Sequence, residues 1–505
     1  MQAPLVSASS QVRRYGHWID GQPVATATHI QRVGPQSDDV VAEFSNGSDS
    51  DAARAIQSAR RAFDEGPWPK LSGTERANVL NRWADLVLLN LDHLVQIEIA
   101  EAGKTIRVAK GDLEGTVALM RYAAALCHQL SGEAFTDFGS ALQAMVIHEP
   151  VGVVAAIVPW NFPTIIFAQK VPFALAAGCT VVVKPSELTS GTAYELARLA
   201  TQAGLPNGAL NVVMGYGDPV GQHLVQSQDV DMVSFTGSTA TGRRVLKGQE
   251  VNFKRVSLEL GGKSAAIVFD DCDIEAAVEG VLFSIFMHSG QLCCAGSRLL
   301  VQNGIAPRFL EALIERAEQL KIGLLEDPST DFGPVVSEVQ LQSLKRFVAR
   351  AKAQGATILS GGDTADSRSE SATYVGASRT FLPTILDNVE CSMEVFDEEA
   401  FGPILSVTRF ATEDEAVRLA NMSKYGLAGS VWTTNMRRAF DIAGKVRTGT
   451  MEINTSLEGQ PQLPFGGFRT SGIGREKGKA GLEEFTEIKT VAFRLEARPP
   501  FFGAK

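Results

Sequence analysis

The sequence predicts an α/β protein built around a doubly wound parallel sheet, with a second α/β unit after it. Three observations carry that expectation. From residue 151 onward, short apolar runs rich in β-branched residues alternate with helical stretches, the pattern of strands buried on both faces and joined by crossover helices. The alternation restarts after Gly261-Gly262. The chain has 505 residues, 45% hydrophobic and 21% charged, enough apolar material to bury the cores of two to four domains.

In chain order, the first 50 residues are polar with turn signals. Stretches 50–63 and 73–102 then place apolar residues at helical spacing with charged faces, and 114–130 continues the helical pattern. Residues 141–148 alternate weakly, like an exposed ribbon. The sheet begins with the apolar run 151–158, a Pro-Trp-Asn-Phe-Pro turn, a helical stretch to residue 177 and a second run at 180–184. Helix 190–203, strand 211–214, helix 219–226, strand 231–235, helix 239–248 and strand 255–260 complete five strands and four helices. Sheets of this kind bind ligands beyond the carboxyl ends of their strands. The second series opens with strand 265–269, helix 274–287, strand 298–301 and helix 308–320, and runs to about residue 478. The tail 486–496 alternates like a strand and has no neighbour in sequence to pair with, which leaves the 141–148 ribbon or another subunit as its partner.

Composition excludes several functions. Lys plus Arg total 47 against 57 Asp plus Glu, a net charge of -10, which argues against a nucleic-acid partner. No continuous apolar stretch of about 20 residues is present, so no membrane partner is expected. The N-terminus lacks the order of a secretory signal, and six scattered cysteines make no disulfide framework, so the expected location is cytoplasmic. The seven histidines never approach one another at ligand spacing, and no metal site is expected. A Cys–His hydrolase built on His288 lacks a third, orienting group.

The segment 288–297, HSGQLCCAGS, sets two cysteines just past a helix in a small-residue turn that leaves a thiol open to attack a substrate. Buried, inert thiols are the structural alternative. Acyl chemistry through a thiol needs a base for water and a donor for an oxyanion. Glu259, at the end of an apolar strand, is a candidate base, and Asn161, in a turn fixed by two prolines, a candidate donor. Glu259 capped by the amides of the glycine turn, and Asn161 bonded to its own backbone, are the corresponding structural explanations.

Together these segments resemble the aldehyde dehydrogenase superfamily, in its hydrolytic, NAD(P)-dependent branch, from about residue 16 to about 491. The resemblance is carried by PWNFP (159–163), VVKPSE (182–187), FTGST (235–239), LELGGK (258–263), GQLCCAG (290–296), EAFGP (399–403), and PFGG (464–467) with SGIGRE (471–476). It implies a variant Rossmann-type doubly wound sheet, since the usual Gly-x-Gly-x-x-Gly fingerprint is absent. The implied layout is an NAD-binding domain (1–130 and 151–260), a catalytic domain (261–478) and a small oligomerisation β-ribbon (131–150 and 486–500).

By the same resemblance, Cys293 matches the nucleophile, Glu259 the general base and Asn161 the oxyanion donor. Lys184, Glu187, Gly237, Ser238, Trp160, Glu399 and Phe401 match cofactor contacts. A carboxylate at Glu187 accepts from a ribose diol and repels a 2′-phosphate, which predicts NAD over NADP. Ala400 and Arg469 are minor departures from the family pattern. The substrate tunnel should include Tyr122, Ile166, Gln169, Met287, Leu457, Glu458 and Phe465.

The implied activity is NAD-dependent oxidation of an aliphatic or aromatic aldehyde to the acid, in a homodimer or homotetramer. Glu458 at the tunnel mouth raises an alternative, a cationic substrate such as an aminoaldehyde or betaine-type aldehyde. A CoA-acylating enzyme, which typically lacks the base, and a non-catalytic relative complete the alternatives.

Overall fold

Five strands, Val153–Ile157, Thr180–Lys184, Leu210–Val212, Met232–Thr236 and Arg255–Glu259, run parallel, and nearly all their residues are buried. Burial on both faces is why they appear in the sequence as continuous apolar runs. The computed structural model describes residues 12–37, 39–251, 253–367, 379–498 and 500–503. Across this first sheet the order is Arg255–Glu259, Met232–Thr236, Val153–Ile157, Thr180–Lys184, Leu210–Val212. The strand order therefore reverses between Val153–Ile157 and Met232–Thr236, and the loops leaving their carboxyl ends flank a crevice. His17–Ile19 and Gln22–Val24 extend one edge antiparallel, and Gly472–Ile473 extends the other.

The second sheet has seven strands in the order Thr357–Ser360, Thr384–Asp387, Ile404–Phe410, Arg298–Gln302, Ala265–Val268, Ala428–Trp432, Thr450–Ile453, all parallel except the first pair. Only the turn 260–264 separates strand Arg255–Glu259 from Ala265–Val268. The loop containing Cys293 enters the second sheet at the amino end of Arg298–Gln302, and Glu399 lies just before Ile404–Phe410. The carboxyl edge of one sheet thus meets the amino edge of the other.

A third sheet pairs Thr486–Arg494 with Leu142–Pro150 over nine rungs, with Glu133–Phe135 on the far side. The tail strand therefore uses the ribbon of its own chain as a partner. Two expectations fail locally. The described residues among the first 50 hold five strands, among them His29–Val33 and Val40–Ser45, and three of the five are only three residues long, too short to show a period. The 73–102 stretch is two helices, Gly73–Leu89 and Leu91–Ala102, broken at Asn90, whose side-chain amide donates to the Leu86 carbonyl at 2.8 Å. Among the described residues no helix is long and apolar enough to cross a membrane.

Candidate active site between two sheet edges

Strand Val153–Ile157 ends in the turn that carries Asn161, and Pro163 opens helix Pro163–Ala177, where a missing N–H costs nothing. Asn161 is 2% exposed, and its Nδ2 donates to the Gln291 carbonyl at 2.9 Å. The amide thus reaches across to the cysteine loop rather than closing on its own turn. Beside it, the Trp160 ring meets Phe401 edge to face, centroids 5.2 Å apart.

Helix Ile274–Phe286 leads into the cysteine loop through three successive left-handed residues, His288 (φ 47°), Ser289 (φ 54°) and Gly290 (φ 70°). Non-glycine residues in that region cost about 1–3 kcal/mol each unless their surroundings hold them. Here the Ser289 hydroxyl donates to the Gly333 carbonyl at 2.7 Å, and Gln291 accepts from the Val336 N–H at 2.9 Å while donating to the His288 carbonyl at 3.1 Å. Cys293 and Cys294 are half-buried, unlike Cys127 and Cys179, which are buried in the core. The Cys293 thiol is held well above its ordinary range by its hydrogen bond with Cys294, then by burial and by the nearby carboxylates Glu399 and Glu259.

Glu259 is 3% exposed at the end of its strand, and neither carboxylate oxygen has a hydrogen-bond partner in the protein. The glycine turn that would have capped it serves another group, because the Gly262 N–H donates to Glu399 Oε1 at 3.0 Å. The PFGG backbone closes over Glu259 so tightly that a Cβ on Gly466 would lie 2.6 Å from Oε1. Burial raises the Glu259 carboxyl well above its usual range, Glu476 adds to that, and Lys170 and Arg475 oppose it. Lys170 forms a buried ion pair with Glu476 and donates to the Ser234 hydroxyl at 2.9 Å. A buried, unpartnered carboxylate beside a thiol is costly as a packing element and suited to proton transfer.

A second group of side chains lies along the carboxyl edge of the first sheet. Lys184 is buried, donates to the Pro185 carbonyl at 2.8 Å, and is brought down to about 8 by burial, with half-buried Glu187 opposing. Gly237 donates its N–H to the Glu259 carbonyl at 3.0 Å, and Ser238 caps helix Thr239–Lys247. Glu399 is raised to about 7 by burial. An amine and a carboxylate at 184–187, a helix N-terminus at 238–239 and a second carboxylate at 399 form a donor and acceptor set that fits a dinucleotide.

The residues expected to line a tunnel divide between two cores. Tyr122 and Ile166 belong with the first, where Tyr122 lies 6.3 Å from Phe173, and Met287, Leu457 and Cys294 belong with the other. Phe162 packs against both. Gln169 is half-buried, and Glu458 is exposed and accepts from the Thr455 hydroxyl at 2.9 Å. Phe465 exchanges backbone hydrogen bonds with Glu476, each 2.7 Å. Among the described residues no group of three or more His, Cys, Asp or Glu could hold a metal.

The sequence analysis missed Lys170, Glu476, Gln291 and Glu452. Lys170 left a signal, as the one charge in an otherwise apolar helical segment. Glu452 left a weaker one, a carboxylate in a strand, where it accepts the N–H groups of Leu457 at 2.9 Å and Glu458 at 2.7 Å.

A family model described as "Aldehyde dehydrogenase family" matches residues 18–491. The betaine aldehyde dehydrogenase of Bacillus subtilis is 38% identical over 94% of this chain and 96% of its own length. The crystal structure of an NAD-dependent aldehyde dehydrogenase from Sinorhizobium meliloti superposes with a TM-score of 0.95 at 41% identity, covering 98% of this chain and 97% of that one. A betaine aldehyde dehydrogenase from Staphylococcus aureus in complex with NAD+ gives 0.94 at 37%, covering 97% of each chain.

Proposed function

The chain belongs to the aldehyde dehydrogenase family, and from that premise we propose that it oxidises an aldehyde to the carboxylic acid through Cys293, Asn161 and Glu259, with NAD as hydride acceptor. The observation that carries the reading is Glu259, a buried carboxylate with both oxygens unpartnered and close enough to Cys293 to raise its thiol. Cys293 as thiolate attacks the aldehyde carbon, and the oxygen that becomes negative accepts from the Asn161 amide and the Cys293 backbone N–H. NAD, when bound, takes up the hydride that leaves that carbon. The acyl group stays on sulfur as a thioester. Glu259 then takes a proton from water, the hydroxide attacks the acyl carbon, and the acid leaves as the thiol is restored.

Lys184 and Glu187 would hold the adenosine ribose, and Glu187 favours NAD over NADP. Gly237, Ser238 and Trp160 would line the path of the dinucleotide, and Glu399 and Phe401 its nicotinamide end. The apolar lining from Ile166, Met287, Leu457 and Phe465 supports a neutral aliphatic or aromatic aldehyde. A second reading, a cationic aldehyde, is favoured by the exposed Glu458 carboxylate. The presence of Glu259 speaks for water over CoA as the acyl acceptor. We assign a homodimer or homotetramer assembled through the Thr486–Arg494 edge of the third sheet, in the cytoplasm, where six free cysteines stay reduced.

The test is NADH production across aliphatic, aromatic and amino aldehydes, with the acid identified as product. Cys293→Ala should abolish turnover and leave NAD binding unchanged. Full activity in that variant, or an acyl-CoA product, refutes the mechanism. An unchanged preference for cationic over neutral aldehydes in Glu458→Gln rejects the second reading.

A further inference from the structure

Helix Leu91–Ala102 ends at Gly103, and Lys104 follows with its side chain wholly buried. Its amine bonds Glu98 at 2.6 Å and Asp112, on helix Ile106–Leu126, at 2.5 Å. Two charges wholly withdrawn from water, with a third largely so, usually stabilise a fold no better than apolar residues of the same volume would. Their placement offers a different reason for them.

The Lys104 ammonium stands 4.6 Å from the centroid of the Phe162 ring. The free oxygen of Glu98 accepts from the Thr164 N–H at 3.3 Å. Phe162 and Thr164 flank Pro163 and directly follow Asn161, so one triad grips the oxyanion turn twice, by a cation on a ring face and by a carboxylate on an amide. The Phe162 ring also meets His288 edge to face, centroids 5.5 Å apart. His288 lies in the loop whose Gln291 carbonyl holds the Asn161 amide.

We propose that Lys104, with Glu98 and Asp112, is a positioning residue for the oxyanion donor: it fixes the Phe162–Thr164 turn against the cysteine loop and so sets where the Asn161 amide points. None of the three is among the residues assigned above to substrate or cofactor. This inference rests on the role assigned to Asn161 above. A donor acts only if aimed at the place where charge develops, and loss of one such donor typically costs about 10²–10³-fold in kcat.

A double-mutant cycle on the full-length enzyme tests it. Lys104→Met and Glu98→Gln should each lower kcat by about 10-fold or more, with KM for NAD within about twofold of wild type. Lys104→Arg, which retains a cation over Phe162, should recover most of the loss. In an Asn161→Ala background neither substitution should lower kcat by more than about twofold further, because the group they aim is gone. Losses that multiply in the double variants, or a normal kcat in a folded Glu98→Gln enzyme, overturn the proposal. Should Lys104→Met fail to fold, the Glu98→Gln arm of the cycle decides alone, since it keeps the shape and removes only the charge. Wild-type enzyme without aldehyde oxidation would instead refute the function, and Asn161→Ala with normal kcat the role of Asn161.

Discussion

Gly262 presents bare backbone to the main-chain carbonyl of Cys293: a Cβ built on Gly262 would lie 2.3 Å from that oxygen. The turn leaving the Glu259 strand is therefore the surface on which the cysteine loop rests, and only Leu260 and Gly261 separate Gly262 from the buried carboxylate. Gly262→Ala must push the loop away or break the turn. Misplacement of a reacting group by about 1 Å can cost about 10²-fold in rate. We expect Gly262→Ala to fold and to lose about that much in kcat, measured by steady-state NADH formation, with its far-ultraviolet circular dichroism unchanged.

Cys294 sets the ionisation of its neighbour. Its hydrogen bond is the largest influence raising the Cys293 thiol, so removing it lowers the Cys293 pKa, whereas burial and the two carboxylates continue to act upward. The thiolate fraction at neutral pH must then rise. In Cys294→Ala, alkylation of Cys293 by iodoacetamide should accelerate at pH 7, and its rate profile should move to lower pH. A profile that stays in place would mean that the two thiols do not share a proton.

Lys170 opposes the upward shift of Glu259 and neutralises Glu476. Lys170→Met removes the ion-pair partner of Glu476 and leaves Arg475 alone to oppose the upward shift of Glu259. Glu259 then holds its proton to higher pH, and the acid limb of the kcat profile should move up. Losing one partner of a buried pair costs about 3–5 kcal/mol, so the variant should also unfold at lower denaturant concentration. A destabilised enzyme with an unmoved pH profile would separate the structural effect from the electrostatic one and remove Lys170 from the base's environment.

The parallel strands were legible because burial on both faces writes continuous apolar runs; Glu259 and Asn161 stood out because a charge and an amide fell at the ends of such runs, and Cys293 because its thiol lay in a small-residue turn just past a helix. The short strands before residue 50 and the break at Asn90 were not legible. A three-residue strand carries less than two periods of alternation, and Asn90 interrupts a helical pattern whose apolar spacing continues on both sides. The Lys104 triad was hidden for another reason. Glu98, Lys104 and Asp112 look like ordinary charges on solvated helical faces, and only tertiary packing withdraws Glu98 and Lys104 wholly, and Asp112 largely, from water.

Glu452 poses the same problem beside the proposed substrate tunnel. Its two oxygens take the N–H groups of Leu457 and Glu458, and Leu457 itself is left-handed, with φ 62°. The carboxylate therefore pins the loop 454–462 at Leu457 and Glu458, the two loop residues proposed to line the tunnel. A hydrogen bond to a charged acceptor contributes about 1.5–3 kcal/mol, so Glu452→Ala releases a loop that already carries an unfavourable backbone conformation at Leu457. Leu457 would then leave the core against which Met287 and Cys294 also pack. Because the proposed adenosine-side contacts, Lys184, Glu187 and Gly237, lie on the first sheet, KM for NAD should hold while kcat/KM for aldehydes falls about 10-fold, most for those that fill the proposed tunnel. Glu452→Gln keeps one acceptor oxygen and turns an amide toward the second N–H, so its loss should fall between wild type and Glu452→Ala. Equal losses for short and bulky aldehydes would show that the carboxylate acts on the chemistry through Cys294 and not on the shape of the tunnel.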